Sequence, residues 1–321
     1  MDKRRLGRTD IEVTPIGLGS WQFSQGVGMS GSFWPTIDQK TITSVARAAI
    51  KGGITWFDTA ELYGNGRSEQ TLAAALAALG VKPGSAVVAT KWSPFLRTAH
   101  SIAATIDTRV SSLSPYPIDL FQVHNPWSLS PIHAQMREMA KLVRARKIRS
   151  VGVSNFSARQ MEEAHAALAA EGIPLASNQV RFNLLDRRIE GNGVLETARR
   201  LGVTIIAWSP LAQGMLTGRF HDDLGLAARL PRPRRFMNGI TPARLAATAP
   251  LLETLNAVAK AYGVTQAQAA LAWTISFHDG AVVAIPGASK PAQAEQAAAV
   301  IHLRLSTREM ADIDEASKRC A

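Results

Sequence analysis

A (β/α)8 TIM barrel of the α/β class is the fold this sequence predicts. It should form a single domain over residues 1–321, with an N-terminal hairpin and long loops at the C-terminal face. Three observations carry the prediction. Eight short runs are almost wholly apolar and rich in β-branched residues, as strands covered on both faces must be. Stretches of helix length separate them, which is the pattern of parallel βαβ units. The runs also recur at a nearly constant step: Asp58, Lys91 and His124 are 33 residues apart, Ser154 follows His124 by 30, and Trp208 follows Gln179 by 29. No repeated signature accompanies the period, which argues against a solenoid. No G-x-G-x-x-G turn follows an early strand, which argues against an open dinucleotide-binding sheet.

Residues 1–14 alternate weakly around Gly7-Arg8 and read as a hairpin plugging the barrel floor. The barrel strands are expected at 16–19, 54–58, 86–91, 120–124, 150–153, 176–180, 203–208 and 282–286. Helices are expected at 38–51, opened by Asp38 and stopped by Gly52-Gly53, and at 68–79, ending at Gly80. Further helices are expected at 101–113, 131–147, 157–170 and 193–201, several with a Ser or Pro start and a Gly stop. The step from Trp208 to Ile285 is 77 residues, far longer than the others, and holds helical patterns near 250–262 and 265–276. Long loops at the C-terminal face of a barrel tend to be functional.

Composition narrows the function classes. With 46% hydrophobic and 19% charged residues, the chain is not a disordered one. The opening MDKRRLGRTDIEV has no apolar stretch behind its basic residues, so it does not read as a secretory signal. No apolar run is long enough for a membrane span. The single cysteine, Cys320, excludes an intrachain disulfide and a cysteine metal cluster. A cytoplasmic location, no metal and no membrane partner are expected. The net charge of +11 favours anionic ligands. Its one dense cluster, RLPRPRR at 229–235, reads first as a solvated loop and second as a lid over an anionic ligand. Without any nucleic-acid signature, no nucleic acid partner is expected.

Strand ends of a barrel converge on one mouth. Asp58, Lys91 and His124 each end a run, and Tyr63 lies in the loop after the first of them. Taken singly, a His or a Lys at such a place is ordinarily structural or solvated. Four titratable groups at matching positions on three successive strands form a constellation with its own chemistry. A phenol is a weak acid at neutrality, and a neighbouring ammonium should lower its pKa. Asp58 would hold Lys91 charged, Tyr63 would protonate a developing alkoxide, and His124 would donate a hydrogen bond to the same oxygen. Such a proton donor lacks only a hydride source, for which a nicotinamide cofactor is the natural candidate. A Schiff-base aldolase using Lys91 would not need Tyr63 or Trp208.

The segments FDTAELYGNGRSE (57–69), ATKW (89–92), QVHNP (122–126), GVSNF (152–156), NQV (178–180), AWSPLAQGMLTGRF (207–220) and IPGASKPAQ (285–293) resemble the aldo-keto reductases, from the Leu6-Gly7 hairpin to about Ala299. The resemblance implies a barrel that reduces aldehydes or ketones with NAD(P)H, with the tetrad Asp58, Tyr63, Lys91 and His124. It implies that Ser154, Asn155 and Gln179 hold the nicotinamide carboxamide and that Trp208 stacks on the ring, with Ser20, Trp21 and Asp58 near the cofactor. Ser209, Leu211, Gly214 and Arg219 should meet the pyrophosphate, and Gly287, Ser289, Lys290 and Gln293 the adenosine end. Relatives commonly carry Arg where this chain has Ser289 and a Glu-Asn pair where it has Gln296-Ala297; here the cation is Lys290. NADPH is expected, with NADH also usable, and a small-molecule carbonyl compound as the partner. Trp34, Trp92, Trp127 and Phe156 are candidates for an apolar substrate wall. The alternative within the same family is a regulatory subunit that binds the cofactor and turns over slowly.

Overall fold

The computed structural model describes residues 3–31, 33–230 and 239–320. A hairpin of β1 (Arg4–Arg5) and β2 (Glu12–Val13) precedes eight parallel strands. These are β3 (Leu18–Gly19), β4 (Trp56–Asp58), β5 (Val87–Trp92), β6 (Leu120–Val123), β7 (Ser150–Ser154), β8 (Leu175–Arg181), β9 (Thr204–Trp208) and β10 (Val282–Ala284). They pair in sequence order from β3 to β10. Bridges between Ile16 and Ala284 and between Gly19 and Gly287 close the cylinder, with Gly17 N donating to Ala284 O at 2.8 Å. The expected (β/α)8 barrel and its hairpin are therefore present.

Strand periodicity fixes what faces the barrel axis. Successive side chains point to opposite faces. Trp56, Ala89, Leu120, Ala176, Ile206 and Val283 share an apolar cluster with Leu6, Ile11 and Val13 of the hairpin segment, which plugs the floor. Phe57, Val88, Phe121, Trp92 and Val123 instead join the larger cluster under the helices. Two residues on from Trp56, Ala89 and Leu120 come Asp58, Lys91 and Gln122, so polar groups form the layer above the plug. Gly17 is required by this packing: a Cβ there would lie 2.3 Å from the Trp56 ring.

The helices begin where the sequence provides caps. Asp38 accepts from Thr41 N, and reciprocal capping boxes open the helices Ala158–Ala169 and Gln266–Ser276. Two starts differ from expectation. The helix expected from Ser68 begins at Arg67, and Ser68 is buried, its hydroxyl donating to Ser20 O at 2.6 Å. The pattern near 250–262 is the second half of a helix Pro242–Tyr262 capped by Thr241, with Pro250 inside it. A helix Thr307–Lys318 follows the barrel, and Tyr262 donates to its Glu309 at 2.7 Å. Of the basic cluster, read first as a solvated loop and second as a lid, only Arg229 and Leu230 fall within the described residues. Among the described residues, no helix is long and apolar enough to cross a membrane.

Candidate active site

One cavity of about 490 Å³ opens at the C-terminal ends of the strands, a size suited to a small-molecule ligand. Beneath it, Lys91 is wholly buried on β5 and Asp58 nearly so at the end of β4. Lys91 Nζ lies 2.5 Å from Asp58 Oδ1 and donates to Thr59 O at 2.8 Å. Asp58 Oδ2 accepts from Gln122 at 3.1 Å and Gln179 at 2.9 Å. The carboxylate is thus saturated by one cation and two amides, the condition under which a buried ion pair is tolerated.

Tyr63 comes from the loop after β4. Lys91 Nζ sits 5.0 Å from its ring centroid. Burial pushes the phenol above its ordinary pKa of 10, and Lys91 pulls against that without overcoming it. The sequence led us to expect a net lowering. The difference arises because the phenol is desolvated along with its cation, and the result is a neutral O–H that keeps its proton through neutral pH. Asp58 in turn raises the Lys91 pKa, working against burial, which lowers it. The His124 ring meets Tyr63 edge-on at 5.7 Å. Burial, reinforced by the Lys91 charge, lowers the His124 pKa to about 3. Its buried Nδ1 has no partner among the described residues. An unpaired lone pair is less costly than an unpaired N–H, which assigns the proton to Nε2.

A buried network fixes the loop that carries Tyr63. Arg109 bridges Glu61 at 2.9 Å and Glu69 at 3.0 Å, one residue on each side of Tyr63. Glu69 also accepts from Thr90, the neighbour of Lys91, at 2.6 Å. Burial raises the Glu69 pKa to about 7 despite Arg109.

Every expected cofactor-binding residue except Lys290 lines the cavity. Ser20 also braces the site, donating to Asp58 O at 2.9 Å. Ser154 donates to Gln179 O at 2.8 Å. Asn155 ties the site together: its Nδ2 donates to His124 O, and its Oδ1 accepts from Trp208 Nε1 at 3.0 Å. Gln179 Nε2 is committed to Asp58. Lys290 is exposed at the start of helix Pro291–Ala299, where its backbone N–H and that of Ser289 donate to Gln293 Oε1. The substrate wall is composed differently from expectation. Trp34 lines the cavity, joined by Trp21, Phe33 and Leu62. Trp21 stacks on Phe33 at 5.0 Å and on Tyr63 at 5.7 Å. Trp92 and Phe156 are buried under the helices, because Trp92 follows the inward Lys91 and so points outward. Trp127 is 66% exposed and lies outside the cavity lining.

Sequence reasoning missed Gln122, Glu61, Glu69, Arg109, Arg181 and Gln22. Strand periodicity could have found two of them, since Gln122 lies two residues before His124 and Arg181 two after Gln179. The Arg109 bridge joins residues distant in sequence and left no local signal.

A nicotinamide dinucleotide fits the residues present. Ser209 Oγ, Gln213 Oε1 and Arg219 Nε are cavity-lining polar atoms, buried and without partners among the described residues. Unpaired buried polar groups ask for a ligand. At Gly287 a Cβ would come within 2.4 Å of the Gln22 side-chain amide, which would have to move aside.

Comparison with known proteins agrees with this geometry. The model of the aldo/keto reductase family matches residues 15–318. The chain is similar to the aldo-keto reductase YhdN of Bacillus subtilis (strain 168), 31% identical over 98% of this chain and 93% of that one. It is also similar to L-glyceraldehyde 3-phosphate reductase of Escherichia coli (strain K12), 28% identical over 98% and 92% of the two chains. Among solved structures, the glycerol dehydrogenase AKR11B4 from Gluconobacter oxydans superposes with a TM-score of 0.81 at 28% identity, covering 98% of this chain and 94% of that one. An aldo-keto reductase from Klebsiella pneumoniae in complex with NADPH superposes with a TM-score of 0.74 at 28% identity, covering 98% and 95%. With a family model spanning nearly the whole chain over a barrel whose mouth gathers these groups, the chain belongs to the aldo/keto reductase family of oxidoreductases.

Proposed function

We propose that this protein reduces the carbonyl group of a small aldehyde or ketone to an alcohol, with NADPH as the preferred hydride donor and NADH as a usable one. The observation that carries the reading is the Lys91 ammonium, paired with Asp58 at 2.5 Å and lying 5.0 Å from the centroid of the Tyr63 ring at the floor of the cleft. The dinucleotide, when bound, supplies a hydride to the carbonyl carbon. Ser154, Asn155 and Gln179 hold the carboxamide end and Trp208 supports the ring. Ser209, Leu211, Gly214 and Arg219 take the diphosphate, and Gly287, Ser289, Lys290 and Gln293 the adenosine end.

Charge accumulating on the substrate oxygen is met by two donors. Tyr63 transfers its proton to that oxygen, and the Lys91 ammonium stabilises the phenolate left behind. His124 is neutral and donates a hydrogen bond without competing for the proton. Asp58 holds Lys91 charged in a site where burial works against the charge. Trp21, Phe33 and Trp34 form an apolar wall suited to an aromatic or medium-sized carbonyl compound. Support for the cofactor comes from the NADPH complex of the Klebsiella neighbour.

The test is loss of nicotinamide absorbance against a panel of aldehydes and ketones, run separately with NADPH and with NADH. Turnover of at least one carbonyl, faster with NADPH, is expected. Tight dinucleotide binding with uniformly slow turnover would favour the regulatory-subunit reading instead. No binding and no turnover would refute both.

A further inference from the structure

The last residue of β8 is an arginine whose charge is left without a full partner. Arg181 pairs in register with Trp208 of β9, and its guanidinium lies 5.7 Å from the centroid of that ring. It lines the cavity with its side chain 29% exposed. The carboxylate facing it is Asp186, whose Oδ2 lies 3.4 Å from Arg181 Nε, and that nitrogen makes no hydrogen bond among the described residues. Asp186 is already engaged: Arg188 grips it with two hydrogen bonds of 2.8 Å. Arg188 and Arg244 add further positive charge around Arg181, and burial, the largest effect, lowers its pKa. Arg219 lines the same cavity, and its Nε also lacks a partner among the described residues.

Two partly buried guanidiniums with too little counter-charge, lining one cleft, are an arrangement that an anion completes. Arginine's planar fork suits phosphate oxygens in particular. Arg181 stands beside Trp208 at the ends of β8 and β9, whereas the groups that would act on a carbonyl, Tyr63 and His124, come from the loops after β4 and β6. We propose that Arg181 is a binding residue for the diphosphate of the nicotinamide dinucleotide, acting with Arg219. The inference rests on the functional reading above and adds to it a residue that the family motifs in this sequence did not single out. In the free protein the same residue braces Trp208, so binding charge and ring support meet in one side chain.

Arg181→Met keeps the apolar stem and removes the charge. Dissociation constants for NADPH and NADH, measured by calorimetry on the full chain, should both rise about tenfold, the effect of losing one charge-assisted hydrogen bond. Arg181→Lys should recover part of the loss. The melting temperature of the free variant should hold or rise, because an under-compensated charge has been removed, while the increase brought by saturating NADPH shrinks. Unchanged constants for both dinucleotides would overturn the inference. A loss confined to NADPH would overturn it by placing Arg181 at the 2′-phosphate. A raised KM for glyceraldehyde 3-phosphate with unaltered cofactor binding would overturn it by making Arg181 a contact for substrate phosphate. Failure of the unaltered protein to bind either dinucleotide would instead refute the functional reading, and the inference with it.

Discussion

Replacing Lys91 by methionine isolates the electrostatic arrangement under the cleft. In the native protein Asp58 is 1% exposed and carries one cation and two amide donors. Lys91→Met leaves a buried carboxylate with the amides of Gln122 and Gln179 alone. Removing one partner of a buried ion pair destabilises by about 3–5 kcal/mol, and the retained amides place this case at the lower end. Asp58→Asn produces the converse, a buried ammonium without a counter-charge that keeps its hydrogen bond to Thr59 O at 2.8 Å. The double variant has no buried charge at either position and should recover much of the loss. The cycle, followed by urea unfolding at pH 7, should give a coupling of at least ~2 kcal/mol, well outside the ~0.5 kcal/mol expected of independent sites. Additive single losses would refute the reasoning, since the two charges would then not be stabilising each other. Because Lys91 pulls the Tyr63 pKa down against burial, the single variant should also titrate its phenol at still higher pH.

His124, with its pKa lowered to about 3 from 6.5, should show no imidazole titration between pH 5 and 8 by nitrogen-detected NMR. The unfolded chain takes up this proton between those two values and the folded one does not, so the group's contribution to stability falls as pH drops through that window; an inflection near pH 6.5 would contradict the assignment. Glu69 works in the opposite sense: with its pKa raised from 4.5 to about 7, it favours the folded state at low pH, and that contribution declines as pH rises from 4.5 through 7. Glu69→Gln should remove this slope, which is of order 3 kcal/mol across the window, as read from melting temperatures at stepped pH. Lys290→Ala should weaken NADPH more than NADH in equilibrium binding, and equal losses would remove this adenosine-end cation from the 2′-phosphate.

The sequence made the barrel and its mouth legible because both follow from periodicity. The steps linking Asp58, Lys91 and His124 place them at equivalent strand ends, and closure brings those ends together. Helix starts were legible where a side chain does the capping, as at Asp38, Ser157 and Thr265. Pro250 misled for a physical reason: proline commonly opens helices, but here Pro242 fills that role and Pro250 sits inside the same helix. The substrate wall was only half legible. Aromatic character does not reveal which face of a strand a residue takes, and counting from Lys91 would have turned Trp92 outward. The Arg109 bridge and the pairing of Gln122 and Gln179 with Asp58 were not legible, since they depend on how distant elements meet. The direction of the Tyr63 pKa was misjudged because sequence reveals the neighbouring charge but not the depth of burial.

The central claim is that the Tyr63 hydroxyl supplies the proton that completes carbonyl reduction. Tyr63→Phe keeps the ring that stacks against Trp21 and removes only that hydroxyl. Its steady-state reduction rate and its NADPH dissociation constant, measured on one preparation, test the claim directly. The rate should fall by at least about 100-fold, in keeping with loss of a general acid, while NADPH affinity stays near that of the unaltered protein. Retention of most of the activity with cofactor binding intact would contradict the claim.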